Sequence, residues 1–139
     1  MRLIVNTAVA RLEIKNLMRH FGARTVVNDV SLRIMPGQVM CLLGPSGCGK
    51  STTLRMIAGI ERPDAGEILV DGHIVSGDAA LVEPENRSIG LIFQDFALFP
   101  HLTVEQNVVF GLTGPFAVQH ARAVDLLERV GLTQHIYSY

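Results

Sequence analysis

Gly44-Pro45-Ser46-Gly47-Cys48-Gly49-Lys50-Ser51 is the stretch from which the rest of the chain is read. It spells G-x-x-x-x-G-K-S, the pattern of a loop that cradles phosphate groups. Before it stands a continuous apolar run, Val39-Met40-Cys41-Leu42-Leu43, with the length and character of a buried parallel strand. After it, Leu54, Ile57 and Ala58 recur at helical spacing, and Gly59 offers a C-terminal cap. The expected order is strand, loop, helix, the context in which this motif has chemical meaning.

The chemistry asks for these residues at this spacing. Gly44, Gly47 and Gly49 carry no β-carbon, so the backbone can curl and approach an anion closely. A curled loop turns N–H groups inward as a nest for phosphate oxygens. The helix beginning near Gly49 aims its unpaired N–H groups and positive dipole end at the same place. Lys50 can bring a compact positive charge to the outer phosphates, and the Ser51 hydroxyl can ligate Mg²⁺. Pro45, Ser46, Cys48 and Thr52 complete the candidate binding loop. The bland alternative is a Gly-rich surface turn, which would need neither the strand, the helix nor the Lys-Ser pair.

The chain has 139 residues and a formal net charge of −1. That length suits one domain burying roughly two thirds of its unfolded surface. Without a basic excess, nucleic acid is not expected as a partner, because binding a phosphate backbone needs clustered Lys and Arg. No apolar run approaches the ~20 residues that span a bilayer. Met1–Ala10 reads as a loosely attached leader rather than a signal peptide. The two cysteines, Cys41 and Cys48, show neither metal-ligand spacing nor a disulfide framework, which fits a reducing compartment.

Working outward, Arg11–His20 alternates loosely through Leu12, Ile14 and Leu17 and reads as a half-buried strand. Phe21-Gly22 is a turn, and Thr25–Ile34 is a second strand through Val26, Val27, Val30, Leu32 and Ile34. Pro36-Gly37 turns the chain into the loop strand. Glu67–Val70 and His73–Val75 form a hairpin about Asp71-Gly72. Ser76–Glu85 reads as a surface loop, and Ser88–Phe93 as another apolar strand ending at Gln94. Thr103-Val104-Glu105-Gln106 has the form of a capping box, opening a helix to about Leu112. A second helix follows Gly114-Pro115, with Val118, Ala121, Val124, Leu127 and Val130 on one face. The whole predicts an α/β fold with a small antiparallel layer attached.

Together these motifs resemble the ATP-binding subunit of a bacterial ABC importer, over nearly all of the chain from Arg11 onward. Phe21-Gly22 resembles the aromatic position that stacks on adenine, with Val26 touching the same base. Gly44–Ser51 with Thr52 and Thr53 matches that family's phosphate loop. Gln94, within Ile92-Phe93-Gln94-Asp95-Phe96-Ala97-Leu98-Phe99-Pro100-His101-Leu102-Thr103-Val104, matches its Q-loop and the segment beyond. The resemblance implies a P-loop NTPase core, a partial parallel sheet with helices, plus an N-terminal antiparallel β layer. It implies ATP and Mg²⁺ as cofactors, with Lys50 and Gln94 in catalytic roles and Ser51 and Gln94 at the metal. Phe96, Leu98 and Phe99 would help receive a permease helix. Each has an ordinary alternative: a core aromatic at Phe21, a polar strand end at Gln94, inward packing for the aromatic segment.

The same resemblance implies transmembrane permease subunits, a second ATP-binding subunit and, indirectly, a solute-binding protein as partners, at the cytoplasmic face of the cell membrane. Glu83–Arg87 and the residues after it resemble the group importing ferric iron, polyamines or sugars. LSGGQ and an apolar strand ending Asp-Glu, which follow in that family, do not occur in this sequence. Residues 11–139 are therefore expected to be the N-terminal part of such a domain, binding ATP weakly with negligible turnover. Two other readings stay open: a non-catalytic fragment pairing with permease or nucleotide, and a soluble P-loop kinase or nucleotidase.

Overall fold

The computed structural model describes residues 9–78, 80–94 and 98–139. They fall into two compact units, one running to Leu91 and the other from Ile92 to Tyr139. Residues 1–8 of the expected leader lie outside the described residues. Its last residue, Ala10, is buried, and the Arg11 amide donates to the Ile34 carbonyl at 2.8 Å.

The first unit is a sheet with one helix against it. Strands β1 (Leu12–Phe21), β2 (Arg24–Ile34), β3 (Ala65–Val70) and β4 (His73–Ser76) lie in the order β2-β1-β3-β4, and every pairing is antiparallel. The β3–β4 turn is made by Asp71 and Gly72, both left-handed at φ 49° and 79°, as a two-residue hairpin requires. The loose alternation of β1 has a physical origin. Ile14 and Leu17 are both buried although they are three residues apart, which a strand of period two forbids. A bulge at Asn16 (φ 50°) re-phases the strand, and a matching irregularity at Asp29 (φ 53°) does the same between Val27 and Val30. The two bulged residues are tied together, with Asn16 Nδ2 donating to Asp29 Oδ1 at 2.7 Å.

Helix α1 (Lys50–Ala58) closes the core. Met56 and Ile57 cluster with Ile14 and Leu17 of β1, Val27 of β2, Ile68 and Val70 of β3 and Val75 of β4. Burying each such aliphatic side chain contributes about 1.5–3 kcal/mol. The buried face is Thr53, Met56, Ile57 and Ala58. Leu54, expected on this face, is exposed; Thr53 turns inward instead, its hydroxyl donating to the Gly49 carbonyl at 3.0 Å. Gly59 ends the helix in a left-handed cap. The buried Arg87 guanidinium sits at the same end, donating to the carbonyls of Met56 (2.9 Å), Ile57 (3.2 Å) and Val82 (2.7 Å). A cation there opposes the negative end of the helix dipole. Burial pushes the Arg87 pKa below its ordinary value, and Glu83 pushes it back.

Two expected strands are not formed. Val39–Leu43 forms no strand and carries no ladder bonds, and Val39 and Leu43 are 92% and 91% exposed. Residues 88–94 likewise form no strand, and Ile92 is 97% exposed. Both runs have the composition of interior parallel strands. Strand character depends on a neighbour to pair with, and none stands beside them among the described residues.

The second unit is helical. Helix α2 (Val104–Val109) stops three residues short of the expected Leu112, and α3 (Phe116–Arg129) follows Pro115 at its N-cap. The capping box is complete: Thr103 Oγ1 accepts from the Gln106 amide at 3.3 Å, and Gln106 Oε1 accepts from the Thr103 amide at 2.9 Å. The inward face of α3 is rotated from the expected one. Ala123 and Leu127 are buried, while Val118 and Val130 are exposed. The observed stripe is His120, Ala123, Leu127, because His120 reaches the buried Glu105 of α2 and small Ala123 admits close approach.

Candidate phosphate-binding site

The loop between Gly44 and Gly49 stands on the N-terminus of α1. Gly49 is buried with φ 93°, and a β-carbon there would collide with the Val26 carbonyl of β2 and crowd the Val27 side chain. Glycine is therefore required twice over, by conformation and by space. Gly47 is also left-handed, at φ 77°. The loop residues Gly44 through Cys48 are exposed.

Lys50 leaves the first turn of α1 and folds back into this loop. Its Nζ donates to the carbonyls of Gly44 (2.8 Å) and Pro45 (2.7 Å) and lies 3.5 Å from Cys48 Sγ. Arg24 of β2 adds a second cation, with Nη2 3.4 Å from the Gly47 carbonyl. No side chain caps α1 at this end, so its first-turn N–H groups are not claimed by a cap. Ser51 is exposed beside them and Thr52 is half-buried. The donor set is thus a helix N-terminus, two cations and a hydroxyl around a bare backbone, which suits a polyphosphate with its metal ion.

The other expected site residues divide. Val26 lines a cavity of about 390 Å³ together with Val30, Leu43, Cys48, Lys50 and Thr53, so it shares a space with the loop. Phe21 ends β1, 47% exposed, and pairs across the hairpin with Arg24, the residue that reaches Gly47. Gln94 belongs to the second unit, on an exposed turn. Leu98 and Phe99 are exposed there, with Phe99 packed 4.3 Å from the Phe110 ring; Phe96 lies outside the described residues.

Three contributors were not foreseen. Arg24 sits two residues before Val26, a spacing that puts both on one side of a strand. Arg19 lies two residues before Phe21, and its guanidinium stands 4.7 Å over that ring. Asn107 fastens the turn before α2: its Oδ1 accepts from the Phe99 amide at 2.9 Å, and its Nδ2 donates to the carbonyls of Phe99, Leu102 and Thr103 at 3.0–3.1 Å. Its only signal in the sequence is an Asn inside a helix, where that residue usually serves the backbone.

A family model described as ABC transporter matches residues 27–138. The chain belongs to the ABC transporter family. Among curated relatives, it is 50% identical over 91% of its length to the spermidine/putrescine import ATP-binding protein PotA of Chromobacterium violaceum, covering 35% of that protein. It is 54% identical over 73% of its length to the putrescine transport ATP-binding protein PotG of Escherichia coli, covering 26%. The sulfate/thiosulfate import ATP-binding protein CysA of Gloeobacter violaceus is 49% identical over 86% of the chain, covering 34%. The chain spans about a third or less of the length of these members of the ABC transporter family. Among solved structures, it resembles the ATP-binding cassette MJ0796, a dimer in a post-hydrolysis state bound to ADP and Pi. The TM-score is 0.77 at 29% identity, covering 92% of this chain and 60% of that one. The fold is accordingly that of a P-loop NTPase of the ABC type. No helix among the described residues is long and apolar enough to cross a membrane.

Proposed function

We propose that this chain binds ATP with Mg²⁺ through Gly44–Thr52 and serves as the nucleotide-gripping part of an importer's ATP-hydrolysing subunit. The observation that carries the reading is the placement of Lys50 Nζ inside a loop of bare backbone at an uncapped helix N-terminus. In that role the backbone amides of residues 47–51 hold the phosphates and Lys50 balances their charge. Ser51 donates a ligand to Mg²⁺, which would neutralise and orient the phosphate oxygens. Phe21 supplies a stacking face for the base and Val26 an apolar edge. Gln94 is the residue we assign to sensing the metal and its water.

For the whole protein we infer ATP hydrolysis that closes two such subunits against a membrane permease at the cytoplasmic face, with a solute-binding protein acting indirectly. Relatives named for polyamines and for sulfate are equally similar to this chain, at 50% and 49% identity. Cargo choice therefore lies with partners rather than with these residues.

Titration calorimetry of the chain with Mg²⁺ and ATP tests the grip. Each charge-assisted hydrogen bond contributes about 1.5–3 kcal/mol, so Lys50→Ala should weaken binding by roughly 100-fold. Equal affinity in the variant would remove the reading.

A further inference from the structure

Phe21 carries an observation that nucleotide binding by the loop does not account for. Half-exposed at the end of β1, it has the Arg19 guanidinium 4.7 Å from its ring centre. A spacing of two along a strand puts both side chains on one face. The guanidinium is itself anchored. It forms an ion pair with Glu61, and Nη1 donates to Asp64 at 2.7 Å. Both carboxylates lie in the loop that leaves α1. That loop is bound to β1 by its backbone as well, the Asp64 amide donating to the Met18 carbonyl at 2.9 Å. Asp64 in turn accepts from the His20 amide at 2.6 Å, the main cause holding its carboxyl below the ordinary range. The Arg19 Nε is buried and makes no hydrogen bond. The guanidinium therefore stands where the ring and two acids place it, not where all its donors are satisfied.

We propose that Arg19 is a positioning residue for base recognition, presetting the Phe21 ring to stack on a purine. The inference rests on the reading of 44–52 as an ATP grip and extends it to the base end of the ligand. A cation on one face draws the ring's electron density toward itself, leaving the opposite face less repulsive to the π surface of adenine. It also fixes the ring's orientation before binding, so less side-chain freedom is lost when the base arrives. A purely structural arginine would hold the α1 exit loop to β1 and leave base recognition unaffected.

Two ligands separate these roles: ATP, which has a base, and inorganic tripolyphosphate, which has none. Affinities for both, with Mg²⁺, are measured by calorimetry on the 139-residue chain and its variants. Arg19→Met should weaken ATP roughly three- to tenfold, the scale of fixing one side chain, and leave tripolyphosphate unchanged to about twofold. Arg19→Lys should recover part of the loss, since a point charge can still face the ring without bridging both carboxylates. In a Phe21→Ala background, Arg19→Met should have no further effect on ATP. The proposal is overturned if Arg19→Met leaves ATP binding intact, weakens both ligands alike, or acts as strongly without Phe21. Failure of the underlying reading looks different: neither ligand would then respond to Lys50→Ala, and the proposal would go with it.

Discussion

The two units of the chain are ordered by different means. In the first, eight buried aliphatic side chains from four strands and α1 form one cluster. In the second, Ala123 and Leu127 are the buried apolar residues among the described residues, and the turn before α2 is held by side-chain hydrogen bonds from Asn107, Thr103 and Gln106. Burial contributes in proportion to area and is shared across the whole cluster, whereas a polar clasp fails one bond at a time. An irregular loop of glycines can keep its shape when bolted to the first kind of support. The region bearing Gln94 lies in the unit built on the second kind.

That contrast can be broken or sharpened by substitution. The largest effect should come from Met56→Ala, which opens a cavity in the first unit's core and should cost about 2–5 kcal/mol. Urea unfolding measures it, and amide exchange should show protection lost across β1–β4 and α1. Protection lost first in α2 and α3 would erase the distinction. Next comes Asn107→Ala. It leaves backbone groups of Phe99, Leu102 and Thr103 to water and should cost about 1–3 kcal/mol, read as faster exchange confined to residues 98–112. Protection unchanged there would show the clasp to be incidental. The smallest is electrostatic. Asp64's carboxyl is held below its ordinary value, so its contribution to folding is present above that value and fades as pH falls through the lowered one. Asp64→Asn should lower first-unit stability slightly at neutral pH, where that contribution is present, and flatten its loss as the pH falls below about 4. Identical acid profiles for the two proteins would contradict it.

Local chemistry was legible in the sequence wherever it was self-contained. Asp71-Gly72 named its own hairpin, Thr103 and Gln106 their own capping box, and Gly59 its own helix cap, because each depends on residues within a few positions. The four antiparallel strands followed from hairpin turns and apolar spacing. What could not be read depended on distant partners. Val39–Leu43 and Ser88–Phe93 are strands by composition only, since pairing is decided by neighbours. The rotation of α3 was set by His120 meeting Glu105, fifteen residues away. In the phosphate loop the glycines and Lys50 were legible from the motif. Arg24 and Arg19 were not, because their meaning comes from the hairpin that carries them to Gly47 and to Phe21.

The most direct test is a residue-resolved one. Amide spectra of the isotope-labelled chain, recorded as Mg²⁺ and ATP are added, report which backbone groups meet the ligand. Shifts should concentrate at the amides of 47–52, with smaller ones at Phe21 and Val26, and should vanish in Lys50→Ala. Shifts gathered elsewhere, or persisting undiminished without Lys50, would contradict a nucleotide held in the bare-backbone loop.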